Sequence, residues 1–329
     1  MTDPAVSTPG RSCPLHYRYR PAQLAGPPSP GLGGLEVLYV VGGLYGNELA
    51  LQQVLALFDR EQGRKRLVFN GDFHWFDADP AAFARVQQAV LQHTALRGNV
   101  ETELAAEPAG GDDDAGCGCA YPDWVGDGVV ERSNRILRRL RQATTPAQRA
   151  ALGALPMWLR AEVGGLHVGI VHGDATSLAG WGFAQEHLHD AGHRATVRTW
   201  FDQAGVDAFA CSHTCLPVFQ ALQRAPAAPA WVLNNGATGM PNFAGDRAGL
   251  LTRLAVRPAD SGLRRFGVQA AGRHGAVHLD AIAVEIDGSE QQRRFLALWP
   301  AGSDAHQSYF ARIAAGPDYT PQQAVRGPA

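Results

Sequence analysis

Short apolar runs ending at glycine or a polar residue alternate with amphipathic stretches through the first third of the chain. Residues 35–41 (LEVLYVV) form an apolar run bounded by glycines, as a buried strand does, and residues 48–58 carry leucines at helical spacing. A second run, 66–70, ends at Gly71-Asp72, and residues 80–91 read as a helix after an Asp-Pro start signal. A third strand, 93–97, ends at Gly98-Asn99. Strands alternating with helices, with polar residues at the strand ends, predict an α/β fold whose site lies at the carboxyl ends of the strands.

The pattern changes over 102–155, where an acidic glycine-rich loop (110–118) precedes a strongly helical stretch, 129–142; this reads as an insertion. Two adjacent strands, 157–163 and 166–171, are separated by Gly164-Gly165, a hairpin signal, and the second delivers His172. After a helix over 195–204, a strand over 207–211 delivers His213. Runs at 218–222, 231–234, 250–256 and 277–286 fit a second sheet, and the last forty residues read as helical with a loose Pro/Gly tail.

The 329 residues are 45% hydrophobic and 18% charged, enough for one large domain or two small ones with a sizeable core. A net charge of -2 provides no global field to attract nucleic acid or an anionic membrane, so a substrate must be recognised locally. The proline-rich start lacks the charged and apolar regions of a signal peptide, and no apolar run reaches membrane-span length. A cytoplasmic location is expected, with the five cysteines as reduced thiols.

Four motifs stand at the ends of apolar runs: Asn70-Gly71-Asp72, Gly98-Asn99, Val171-His172-Gly173 and Ser212-His213-Thr214. In that order they resemble the calcineurin-like metallophosphoesterases, whose motifs read Asp-x-His, Gly-Asp, Gly-Asn-His, His-Gly and Gly-His-x-His. The resemblance implies a four-layer sandwich of two mixed sheets flanked by helices over residues 35–286. Residues 1–34 would then be an N-terminal extension, 102–155 a partly helical insertion, and 287–329 a C-terminal helical extension. In that family two metals share a bridging aspartate. Carried over, Asp72 is that bridge, and Asn99, His172 and His213 complete the second metal's ligands, with Asp72, Asn99 and His172 at the catalytic centre.

The first metal's own ligands fall instead on Gly43, Tyr45 and Cys215, and glycine has no side chain to ligate anything. Losses sorted by metal suggest a site remodelled for one divalent ion, with a second metal doubtful. Oxygen and nitrogen donors of this kind suit Mn, Fe or Zn. Tyr45 and Cys215 are candidates for a rewired second site, or space-fillers. Val100 stands where the family has a leaving-group histidine; loss of such a group costs on the order of 10²- to 10⁴-fold, which favours diesters or anhydrides with good leaving groups. The implied activity is hydrolysis of a small phosphorylated substrate, a phosphodiester or nucleotide-type phosphate. The missing ligands also fit an impaired relative that binds a nucleotide or a partner, and Tyr45 with the cysteines fits an iron or redox sensor.

Other clusters carry weaker expectations. Phe73, His74, Trp75 and Phe76 are either a base-stacking wall or packing, with His74 a candidate replacement acid and Asp77 and Asp79 helix caps. Cys117-Gly118-Cys119 and the trio His187, His189 and His193 lack strong metal-site spacing. The arginines of 132–141 read as a solvated helix face, and Asp112 to Asp114 as a solvated loop.

Overall fold

The computed structural model describes residues 10–11, 14–107, 115–224 and 226–327; the Asp112 to Asp114 loop lies outside them. The chain opens with two short 3-10 turns and then β1 (Val37–Val41), whose five residues are all buried. Along β1 the side chains alternate: Val37, Tyr39 and Val41 join one apolar cluster, Leu38 and Val40 another. A strand that is apolar on both faces must lie between two layers.

Asn47 caps α1 (Glu48–Arg60), its Oδ1 accepting the N–H groups of Leu49 and Ala50 at 3.1 Å. β2 (Lys65–Asn70) follows, then α2 (Pro80–Val90), capped by Asp79 with proline at its first position, β3 (Thr94–Leu96) and α3 (Asn99–Ala105). Next come α4 (Asp127–Gln142) and α5 (Pro146–Gly153). β4 (Trp158–Val163) and β5 (Leu166–Val171) form the expected hairpin, and α6 (Ala191–Ala204) leads to β6 (Ala208–Cys211). Then come β7 (Pro217–Arg224), β8 (Ala227–Asn235), β9 (Gly249–Ala255), β10 (Arg264–Gly272) and β11 (Gly275–Val284). The chain closes with α7 (Gly288–Leu298), α8 (Asp304–Ala315), α9 (Pro321–Ala324) and β12 (Val325–Arg326).

Two mixed six-stranded sheets result, ordered β10-β11-β9-β1-β2-β3 and β12-β7-β8-β6-β5-β4. Leu38, Val40 and Val68 from the first meet Val168, Ile170, Ala208 and Ala210 from the second in the central core. Helices α1 and α2 cover the outer face of the first sheet, and α6 covers that of the second. The expected four layers are therefore present. The sheet membership of two runs is corrected. The runs at 250–256 and 277–286 belong to the first sheet, where β9 pairs antiparallel with both β1 and β11. The strand β10 was not foreseen, because its arginines and glycines sit at a half-exposed sheet edge.

The arginine face of α4 is a seam more than a solvated surface. Arg132 donates to Ser308 Oγ at 2.7 Å, Arg135 pairs with Asp304, and Arg139 donates to the Leu298 carbonyl and lies over the Trp299 ring. Helix α4 is thereby stitched to α7 and α8. At the other end, β12 pairs with β7, so the described part of the tail is tied down. Among the described residues no helix is long and apolar enough to cross a membrane.

Candidate metal centre

Both sheets deliver residues to one place. The turn after β2 carries Asp72, the start of α3 carries Asn99, and His172 and His213 follow β5 and β6. Gly71 makes this approach feasible. It has φ +73°, and a Cβ there would lie 2.5 Å from the Gly98 nitrogen and 2.6 Å from His172 Nδ1. Asp72 itself has φ 52°, a left-handed conformation uncommon outside glycine.

His172 Nδ1 lies 2.8 Å from the Asn70 carbonyl, which can only accept, so this nitrogen carries the proton. In the neutral ring Nε2 is then a lone pair, yet it faces Asp72 Oδ2 at 3.3 Å and Asn99 Oδ1 at 3.2 Å. The Asn99 amide is oriented by its Nδ2, which donates to the Cys117 carbonyl at 2.9 Å. His213 Nε2 donates to the Cys119 carbonyl at 3.1 Å, leaving a buried Nδ1 with no partner. Ligand atoms of Asp72, His172 and His213 lie within 4.8 Å of one another. Acceptors gathered without a donor among them fit a cation, and two oxygens with two imidazoles fit Mn, Fe or Zn.

Burial opposes a charged His172, but the adjoining Asp72 carboxylate and the Asn70 carbonyl outweigh it and hold this imidazole above its usual value. Burial likewise opposes ionised Asp72, and His172, His213 and the Val100 N–H together hold it below the usual range. Burial, reinforced by His172, pushes His213 down to about 3, so it is a neutral donor at ordinary pH.

The place of the family's first metal has a different filling. Tyr45 (φ 57°) and Cys215 (φ 63°) meet, Oη to Sγ, at 2.9 Å. A Cβ on Gly43, itself at φ +64°, would lie 2.9 Å from Tyr45 Cζ and Oη, so the phenol ring occupies the room an aspartate would need. Burial pushes the Tyr45 phenol well above its ordinary value and raises the Cys215 thiol too, favouring the protonated forms of both.

Sequence reading missed Glu101. This buried carboxylate accepts the N–H groups of Asp72 at 2.7 Å, Gly98 at 2.9 Å and Phe73 at 3.0 Å, fixing the two loops that carry Asp72 and Asn99 to each other. Its place three residues after Gly98, at the start of α3, is a capping-box spacing that could have flagged it. Cys117 and Cys119 contribute through their backbone carbonyls, which orient Asn99 and His213. His74 is fully buried, stacked on Phe83 at 3.7 Å and bonded through Nδ1 to Asp77 at 2.6 Å. Asp77 therefore serves His74, and Asp79 alone caps α2. His187 and His193 each bond a backbone carbonyl, of Trp181 and Gly182 respectively.

Above Asp72, Asn99 and His213 opens a cavity of about 250 Å³. Val100, Trp75, Tyr121, Trp181 and Tyr309 line it, and His74 does not.

A scan against protein-family models finds no match, and neither does a search of curated proteins. Among solved structures, a hypothetical protein from Pyrococcus horikoshii OT3 is similar, with a TM-score of 0.55 at 14% identity over 86% of this chain and 99% of that one. A metallophosphoesterase from Sphaerobacter thermophilus gives a TM-score of 0.49 at 16% identity, over 85% and 100% of the respective chains. The fold, two mixed six-stranded sheets flanked by helices, is the architecture that the motifs led one to expect, and the Pyrococcus horikoshii protein shares it over most of both chains. Likeness at this level speaks to fold and leaves activity to the site.

Proposed function

We propose that the chain is a metal-dependent phosphoester hydrolase, acting on a phosphodiester or nucleotide-type phosphate, with one ion held by Asp72, Asn99, His172 and His213. The observation that carries this reading is the convergence of His172 Nε2 on Asp72 Oδ2 and Asn99 Oδ1, with His213 close by, at the floor of a cavity. A bound divalent ion would supply polarisation of a phosphoryl oxygen and a water whose pKa falls from 15.7 toward roughly 7.

The chain's own groups do the positioning. Asn99 Nδ2 and Oδ1 are both directed, so the amide is fixed beside the phosphate's place. Glu101 holds the Asp72 and Asn99 loops in register through three amides. Val100 offers no proton to a leaving group, which restricts turnover to esters whose leaving group departs as a stable anion. The Tyr45 plug over Gly43 favours a second reading, an impaired relative that binds its phosphate ligand without turning it over.

Elemental analysis of protein purified without chelator, with Mn²⁺-dependent turnover of a bis-aryl phosphate, separates these readings. One equivalent of ion and turnover, both lost in His213→Ala, is the expected result. An ion without turnover moves the protein to the binding class, and neither ion nor turnover sinks the hydrolase reading.

A further inference from the structure

We infer that the cavity selects singly charged phosphate diesters bearing a planar aromatic group and rejects doubly charged monoesters. The inference rests on the proposal that Asp72, Asn99, His172 and His213 hold a divalent ion, and it concerns the walls above that ion.

Charge is the first observation. Among the described residues neither arginine nor lysine lines the cavity. Arg312, whose field reaches Tyr45 and Cys215, turns its guanidinium to the carbonyls of Pro241 and Cys215. A divalent ion less the charge of Asp72 leaves one positive charge among the ligands, and just beyond them the Glu101 carboxylate and the Arg312 guanidinium are opposite in sign. One anionic charge is matched there. A monoester, whose second ionisation falls near pH 6, brings a further charge that no side chain on the walls offsets, and an uncompensated charge out of water is costly.

The walls are the second observation. Trp75 lies edge-on to Tyr309 at 6.4 Å, and Tyr121 is 6.2 Å from Trp181, whose Nε1 is anchored on the Cys119 carbonyl at 3.0 Å. Val100, Val125 and Val129 fill the remaining apolar wall. An apolar cavity on the order of 150 Å³ holds a benzene ring, so 250 Å³ gives room for one ring and a phosphoryl group. Rings stacked on faces of this kind gain affinity, about tenfold or more.

Inert probes test both halves without turnover. Methyl(phenyl)phosphinate has one charge and one ring, phenylphosphonate has two charges and one ring at about pH 8.5, and dimethylphosphinate has one charge and no ring. Binding to the Mn²⁺-loaded protein is read by calorimetry and by quenching of tryptophan emission. Methyl(phenyl)phosphinate is expected to bind at least about tenfold tighter than either other probe, with quenching. Val125→Lys, at the half-buried wall, is expected to raise phenylphosphonate affinity by about tenfold and to narrow the difference. Equal or tighter phenylphosphonate binding in the unmodified protein overturns the charge half, and equal binding of the two phosphinates overturns the ring half. Either result alongside one bound ion and diester turnover refutes this inference and leaves the hydrolase reading standing. Protein that takes up no ion refutes that reading and, with it, the charge match.

Discussion

Four non-glycine residues among those described have positive φ: Tyr45, Asp72, Ala120 and Cys215. Tyr45, Asp72 and Cys215 line the cavity, and Ala120 follows the Cys119 whose carbonyl holds His213. Such conformations cost about 1 to 3 kcal/mol each and persist where the surroundings over-determine them. For Asp72 the restraint is Glu101. Glu101→Gln turns a donor toward a backbone N–H and should cost about 1 to 3 kcal/mol in urea unfolding, with a lower kcat and the ion count unchanged. Tyr45→Phe removes only the bond to Cys215 Sγ; a loss of about 0.5 to 1.5 kcal/mol is expected, and elemental analysis should still find no second ion. A second equivalent appearing in that variant would show that the Tyr45 hydroxyl, and not the lack of a ligand at Gly43, keeps the first site closed. Asp72, Asn99, His172 and His213 were legible because each is a donor side chain ending an apolar run. The carbonyls of Cys117 and Cys119 were not, since a backbone acceptor leaves no mark on residue type.

Among elements, α3 matters most to the site because it begins at Asn99 and includes Glu101. Its carboxyl end is held by Arg141 of α4, which donates to the carbonyls of Glu103 at 2.7 Å, Leu104 at 3.1 Å and Ala106 at 2.8 Å. Arg141→Met would leave those carbonyls short of a charged donor, at a cost on the order of 3 kcal/mol, and should weaken ion binding measured by calorimetry although Arg141 touches no ligand. The C-terminal helices also reach the site: α8 places Ser308 and Tyr309 on the cavity wall and Arg312 on the Cys215 carbonyl. Most strands were legible from apolar runs and their glycine punctuation. Sheet membership was not, because β9 joins β1 across most of the sequence, and such pairing is set by which faces pack rather than by local pattern.

At the scale of the whole molecule, acid stability has an identifiable contributor far from the cavity. Glu61 receives Arg253 Nη2 at 3.1 Å and the Tyr39 hydroxyl at 2.9 Å; burial opposes its ionised form, but Arg253 and Tyr39 outweigh that and hold the carboxyl below its usual 4.5. A depressed carboxylate adds stability that is complete above the unfolded value and fades as pH falls through the folded one. Glu61→Gln should therefore flatten the acid limb of a stability-against-pH curve below about pH 4.5, and an unaltered limb would remove Glu61 from the account.

The candidate ligands are also divided evenly between the two halves of the core. Asp72 and Asn99 ride on the first sheet, and His172 and His213 on the second, with Asn70 already reaching across from the end of β2 to the Val171 carbonyl at 2.9 Å. An ion held by all four would act as a clasp. Closing it and keeping the sheets face to face would be one event, so the last turns of β2 and β5 should lose amide exchange together, by one factor, as Mn²⁺ is added. Such a molecule would report its own metal supply through how often its two halves breathe apart.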